Sequence, residues 1–164
     1  MEKQVENNVE ARVKAAYLVK FTKFIYWDSR AANARSSISP IIITVLGSDP
    51  VGGLLENFSQ NQKSGSPIIV NRIGKDLNNL ENCNLLFISK QEAARLPTIF
   101  KQLEGSNVVT VSDINNFARR GGMIGFVVDE DRVKLEINLD ATNRAGLKIS
   151  AKLLELSKII TKAE

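Results

Sequence analysis

The sequence predicts a three-layer α/β fold: a mostly parallel sheet with helices on both faces and an antiparallel hairpin near the C-terminus. Three observations carry this. Short, wholly apolar runs recur along the chain and are flanked by segments of helical period, the pattern of buried strands covered on both faces. The stretch Val133 to Leu139 alternates apolar and polar residues, as a strand with one wet face does. The N-terminal segment carries apolar residues at spacings of three and four. The chain has 164 residues, 43% hydrophobic and 24% charged. That is enough for one domain with a real core and too little for two of ordinary size, so residues 1–164 are expected to form a single domain.

Taken in order, Val5, Val9, Val13, Ala16, Tyr17, Phe21 and Phe24 mark the inner face of a long helix ending near Tyr26 to Arg30. Lys3, Glu6, Glu10 and Lys14 fall on another face, with Glu10 and Lys14 spaced for an i,i+4 pair. Asp28 to Pro40 is small and polar, a loop and the first candidate for mobility. Ile41–Leu46 reads as a buried strand. Asp49 then caps a helix over Val51 to Gln60, with Pro50 at its first position, where a missing amide proton costs nothing. After the loop Asn61 to Ser66, Pro67–Ile73 and Asn84–Ser89 read as strands.

Ser89 and Glu92 have the spacing of a capping box, which starts a helix running to Gly105. Pro97 is expected to kink or divide that helix. Asn107–Ser112 is a further strand. Asp113 to Arg120 reads as a short helix stopped by Gly121 and Gly122. Met123 to Leu139 forms the hairpin, turning at Asp129, Glu130 and Asp131. Ile149, Leu153, Leu156 and Ile160 form the stripe of a last helix from about Asp140 to Lys162.

Composition excludes several kinds of chemistry. The chain has no histidine, the commonest general base near neutral pH and the commonest metal ligand. Cys83 is the only cysteine, so no intramolecular disulfide forms. Its place at the start of an apolar run fits a buried, inert thiol. The net charge of +4 is mild. Arg119-Arg120 is the only adjacent basic pair, so no nucleic-acid partner is expected. The longest apolar runs are far shorter than the roughly 20 residues that cross a bilayer, so no membrane insertion is expected. The opening residues lack the pattern of a secretory signal. They fit either a cytoplasmic protein or one whose leader has been replaced by Met1.

The chain has no Walker loop, and "LGSDPVGG" lacks the spacing of a dinucleotide fingerprint. The acidic turn "DEDR" lacks the spacing of a calcium loop. No catalytic residue, metal ligand or cofactor is therefore assigned. Three residues remain as binding candidates. Trp27, the sole tryptophan, ends the first helix and serves either as a core anchor or as a wall for a pocket or partner. Arg119 and Arg120 end another element, where they complement a helix dipole or meet an anionic ligand.

The stretch "FARRGGMIGFVVDEDRVKLEINLDATNRAGLKISAKLLELSKII" (Phe117–Ile160) resembles the C-terminal signature of the YfiR family. "KAAYLVKFTKFIYWD" (Lys14–Asp28) resembles that family's opening helix, and "NCNLLFIS" and "VVTVSD" its middle strands. The resemblance spans nearly the whole chain. It implies a periplasmic, non-catalytic regulator that binds the sensor domain of a membrane-bound diguanylate cyclase and holds it inactive, restraining cyclic-di-GMP synthesis and biofilm formation. It also implies a homodimer. It supplies no catalytic motif, and the disulfides of the best-known members have no counterpart in a chain with one cysteine. A small-molecule sensor domain is the alternative.

Overall fold

The computed structural model describes residues 2–27, 40–61, 67–74 and 76–160, with side chains described from residue 9. Most of the polar loop expected at Asp28 to Pro40 lies outside these residues, as does 62–66 of the second loop and the end of the expected last helix.

Helix α1 (Glu2–Phe24) runs directly into the two-residue strand β1 (Ile25–Tyr26). Strand β2 (Ile41–Leu46) leads to helix α2 (Pro50–Gln60), whose start is capped by Asp49: its carboxylate accepts from the Val51 amide at 2.9 Å. Strand β3 (Ile68–Ile73) and strand β4 (Leu85–Ile88) follow. The next segment divides at Pro97, as expected. A 3-10 turn covers Lys90–Arg95 and helix α3 covers Leu96–Leu103, with Pro97 in its first turn. The capping box does not form: Ser89 makes no side-chain cap bond, and Glu92 pairs instead with Arg95. Gly105 stops the segment with φ at +79°.

Strand β5 (Val109–Ser112) precedes a segment expected to be helical. Residues 115–121 are consecutive turns instead, with Asn116 at φ +60° and Gly121 at φ +111°. Positive φ at Asn116 breaks any right-handed helix there. Strands β6 (Ile124–Asp129) and β7 (Arg132–Asn138) form the hairpin. Its two central residues, Glu130 and Asp131, both have positive φ, as a type I′ turn requires.

The single long C-terminal helix is corrected to four short elements: helix α4 (Leu139–Arg144), strand β8 (Lys148–Ile149), helix α5 (Ala151–Glu155) and strand β9 (Ser157–Ile160). Gly146, at φ +76°, ends the first helix, and the Ser150 hydroxyl caps the second by accepting from the Leu153 amide. The helical stripe was therefore accidental. Leu153 and Ile160 are buried from different elements, while Leu156 is 60% exposed.

The seven-stranded sheet has the order β3-β2-β4-β5-β6-β7-β9. Every neighbouring pair is parallel except β6 and β7. A two-stranded antiparallel sheet joins β1 to β8. Alternation along each strand separates two cores. Leu85 and Phe87 of β4 join Val109 and Val111 of β5 under α1 and α2. Leu86 and Ile88 face α3 and Phe117 on the other side. The result is three layers with the mostly parallel sheet in the middle. On the α1 side, Phe21, Phe87, Phe126 and Tyr17 form a ring cluster with centroids about 6 Å apart.

This order sets where polar residues gather. The crossover from β2 runs outward to β3, whereas that from β4 runs the opposite way to β5. Right-handed crossovers in opposite directions place their helices on opposite faces. The connections that leave the carboxyl ends of β2 and β4 therefore run to opposite faces, the arrangement at which open α/β sheets place functional side chains.

Candidate functional site

At the carboxyl end of β2, Gly47 takes φ +95°, and a Cβ there would collide with Ser89 Oγ at the end of β4. Only glycine lets the two strand ends approach this closely. Ser89 is buried, and its hydroxyl has no hydrogen-bond partner among the described residues.

One strand further, Asp113 follows β5 and meets Lys14 from α1. The ammonium donates to Asp113 Oδ2 at 2.8 Å and lies 3.8 Å from Glu10. The Lys14 and Asp113 side chains are 8% and 9% exposed. Lys14 thus lies on the buried face of α1, correcting the helix orientation expected from its apolar spacing. The buried stripe is Ala11, Ala15, Leu18 and Phe21. Val9 is 54% exposed, and the anticipated Glu10 to Lys14 pair is secondary to the contact with Asp113. Asp113 Oδ1 has no hydrogen-bond partner among the described residues. A buried acceptor left this way is costly, so the pair is only half satisfied.

Asp49 belongs to the same charged field. Burial pushes its carboxyl above the ordinary carboxylate range, the Val51 amide opposes that, Asp113 adds to it, and Lys14 and Lys90 oppose it. Beside these groups is a recess of about 350 Å³, lined in part by Lys14, Lys90, Asp113, Asn115, Asn116 and Glu136. It lies within the size range of small-molecule pockets, at the small end.

The segment after Asp113 carries both candidate arginines. The Ser112 hydroxyl anchors its start by donating to the Ile88 carbonyl and accepting from the Ile114 amide. The Asn138 amide anchors its middle by donating to the Ala118 carbonyl at 2.9 Å. Between these anchors and Gly121, Arg119 lies 3.6 Å from the Glu136 carboxylate. Arg120 is exposed and donates to the Ala93 carbonyl at 3.5 Å. Glu136 touches both Arg119 and the charged recess, whereas Arg120 reaches the 3-10 turn.

Trp27 is elsewhere. Its indole donates to the Asn84 carbonyl at 3.1 Å, at the amino end of β4, and its ring packs partly buried against the main core. Arg120 reaches a carbonyl beyond the opposite end of that strand. The structure does not gather Trp27 and the arginines into one site. Lys14, Asp113 and Glu136 were not anticipated as site residues. Lys14 and Asp113 are 99 positions apart, and no motif links them. The available signal was positional: Asp113 directly follows a buried strand, where α/β sheets place functional side chains.

Among the described residues, no group of three or more His, Cys, Asp or Glu side chains is arranged to hold a metal ion. Cys83 is buried and donates to the Leu80 carbonyl at 3.2 Å. Burial raises its thiol to about 11, against opposition from hydrogen bonds with Thr44. A thiol held so far above neutrality is a poor nucleophile.

The fold is that of a three-layer α/β protein with a charged recess beyond the carboxyl end of β5. The particular family follows from comparison: the family model described as YfiR/HmsC-like matches residues 11–158, and the chain belongs to that family. Its members are periplasmic regulators of cyclic-di-GMP signalling. No helix among the described residues is long and apolar enough to cross a membrane.

Proposed function

We propose that residues 1–164 act as one YfiR-like domain in the periplasm, its leader removed. There it binds the sensor domain of a membrane-bound diguanylate cyclase, holds it inactive and performs no catalysis itself. The observation that carries this reading is the family match over residues 11–158. Repression by binding requires tighter association with the cyclase's inactive state than with its active one. Arg119 and Arg120 are the proposed contacts, since both lie on a segment pinned at Ser112 and Asn138 and so are offered on a fixed base. Trp27 contributes by holding the end of α1 against β4, a supporting role. A homodimer is part of the proposal. The exposed Leu156 and Ile159 beside the outer edge of β9 support it, because an open strand edge with apolar neighbours is a ready pairing surface.

The test is co-elution of the purified protein with the purified periplasmic sensor domain of a membrane-bound diguanylate cyclase from the same organism. A stable complex is expected, weakened when Arg119→Glu and Arg120→Glu are combined. Absence of association at micromolar concentrations of both proteins contradicts the reading. The recess beside Lys14 and Asp113 favours a second reading, in which a small ligand tunes the same association. Thermal shift against amino acids and nucleotides tests it, and no stabilisation by any of them counts against it.

A further inference from the structure

A second cavity is on the opposite face of the sheet from α1, away from the charged recess. It measures about 470 Å³, between the end of α3 and α4, with β5 as its floor. Its walls are mainly apolar: Phe100 and Leu103 from α3, Val108 beside β5, and Met123 before β6. Small residues keep it open. Gly121 turns at φ +111°, where a Cβ would lie 3.5 Å from the Phe100 ring, and Ala141 and Ala145 present only methyl groups from the α4 side.

Its polar groups differ in place, and one of them, Ser106 beyond α3, spends its hydroxyl proton on the Leu103 carbonyl at 2.7 Å. Thr110, on the floor, is buried and its oxygen accepts from the Met123 amide at 3.0 Å. A threonine hydroxyl also has a proton to donate, so the floor offers a donor. Arg144 is exposed at the α4 end of the lining, and Glu104 is exposed at the α3 end. An apolar chamber with one donor in the floor, a guanidinium at one end and a carboxylate at the other has a direction. It favours an apolar body whose single negative charge lies toward Arg144, and disfavours a dianion or a negative charge toward Glu104. Arginine pairs with carboxylates through two parallel hydrogen bonds, which selects that group over a hydroxyl.

We infer that this cavity is a binding site for a small aliphatic monocarboxylate, with its chain among Phe100, Leu103, Val108 and Met123 and its carboxylate on Arg144. The site is independent of the cyclase reading: the protein can fail to bind the sensor domain and still bind the acid, or the reverse.

The test is titration calorimetry of the intact protein with hexanoate, hexanol and hexylamine, paired with amide NMR shifts. Hexanoate is expected to bind and to shift Gly105, Gly121, Met123 and Ala145. Hexanol and hexylamine bind about tenfold more weakly, the worth of one charge-assisted contact. Arg144→Gln, at an exposed position, weakens hexanoate by a similar factor and leaves hexanol unchanged. Ala145→Leu fills the chamber and abolishes hexanoate binding. Should that variant fold poorly, Arg144→Gln decides alone. No hexanoate binding, equal binding of the three compounds, or an Arg144→Gln variant that binds hexanoate normally overturns the proposal.

Discussion

The parallel strands have two ends of opposite character. At the amino end of β4, Asn84 closes the structure: its side-chain oxygen accepts from the Ile42 amide at 2.8 Å and its carbonyl accepts from Trp27. Cys83 beside it is buried and bonded to the Leu80 carbonyl. At the carboxyl end the same strands finish in Gly47, Ser89 and Asp113. There a buried hydroxyl and a buried carboxylate oxygen lack partners among the described residues, and a lysine enters from α1. The amino end is built to be closed and the carboxyl end to be charged. Polar groups are satisfied at the first and left partly unpartnered at the second, where functional sites retain them.

The largest expected effect breaks the charged end. Lys14→Met leaves Asp113 buried without its cation and should cost about 3–5 kcal/mol in urea unfolding. Adding Asp113→Leu should restore much of that loss, because an apolar pair of similar volume replaces a buried ion pair at little cost. If Lys14→Met alone is neutral, the pair is not buried in solution as described. The amino end gives the next effect. Asn84→Ala strips the Ile42 amide of its acceptor and should cost about 1–3 kcal/mol by the same measurement. A loss equal to that of Lys14→Met would erase the contrast between the ends.

The smallest effect has a sign set by pH. Burial raises the Asp49 carboxyl, so the folded state holds that proton more tightly than the unfolded one. Its contribution is fully present below the ordinary carboxylate range and is lost as pH rises through the raised value. Asp49→Asn keeps a competent helix cap. It should raise the melting temperature slightly at pH 7, and that gain should disappear below about pH 4, where the carboxyl is neutral. A variant destabilised at pH 7 shows that the cap's charge matters more than its burial.

Much of the layer structure was legible because buried strands announce themselves. Ile41–Leu46, the core of Asn84–Ser89 and the hairpin with its Glu130-Asp131 turn are set by local apolar runs and local turn chemistry. The C-terminal stretch was not legible, since Ile149, Leu153, Leu156 and Ile160 keep helical spacing while the first, second and last lie in three different elements and Leu156 falls between two of them. Gly146 and Ser150 are the breaks, and both are tolerated too widely to be decisive from sequence. The face of α1 was misjudged for a physical reason: Lys14 is buried because Asp113 is there to receive it. A charge buried by a partner 99 positions away leaves no trace in local periodicity. The candidate site shared that fate. Arg119 and Arg120 were visible as an adjacent basic pair, while Glu136, which touches Arg119, reads in sequence as the wet face of a strand.

Cyclase output is the most direct readout of repression. The full-length membrane cyclase in vesicles, supplied with GTP, should make less cyclic-di-GMP when this protein is added on the sensor-domain side. It should recover when the added protein carries Arg119→Glu and Arg120→Glu. Undiminished output with excess folded wild-type protein would contradict the regulatory role proposed for it.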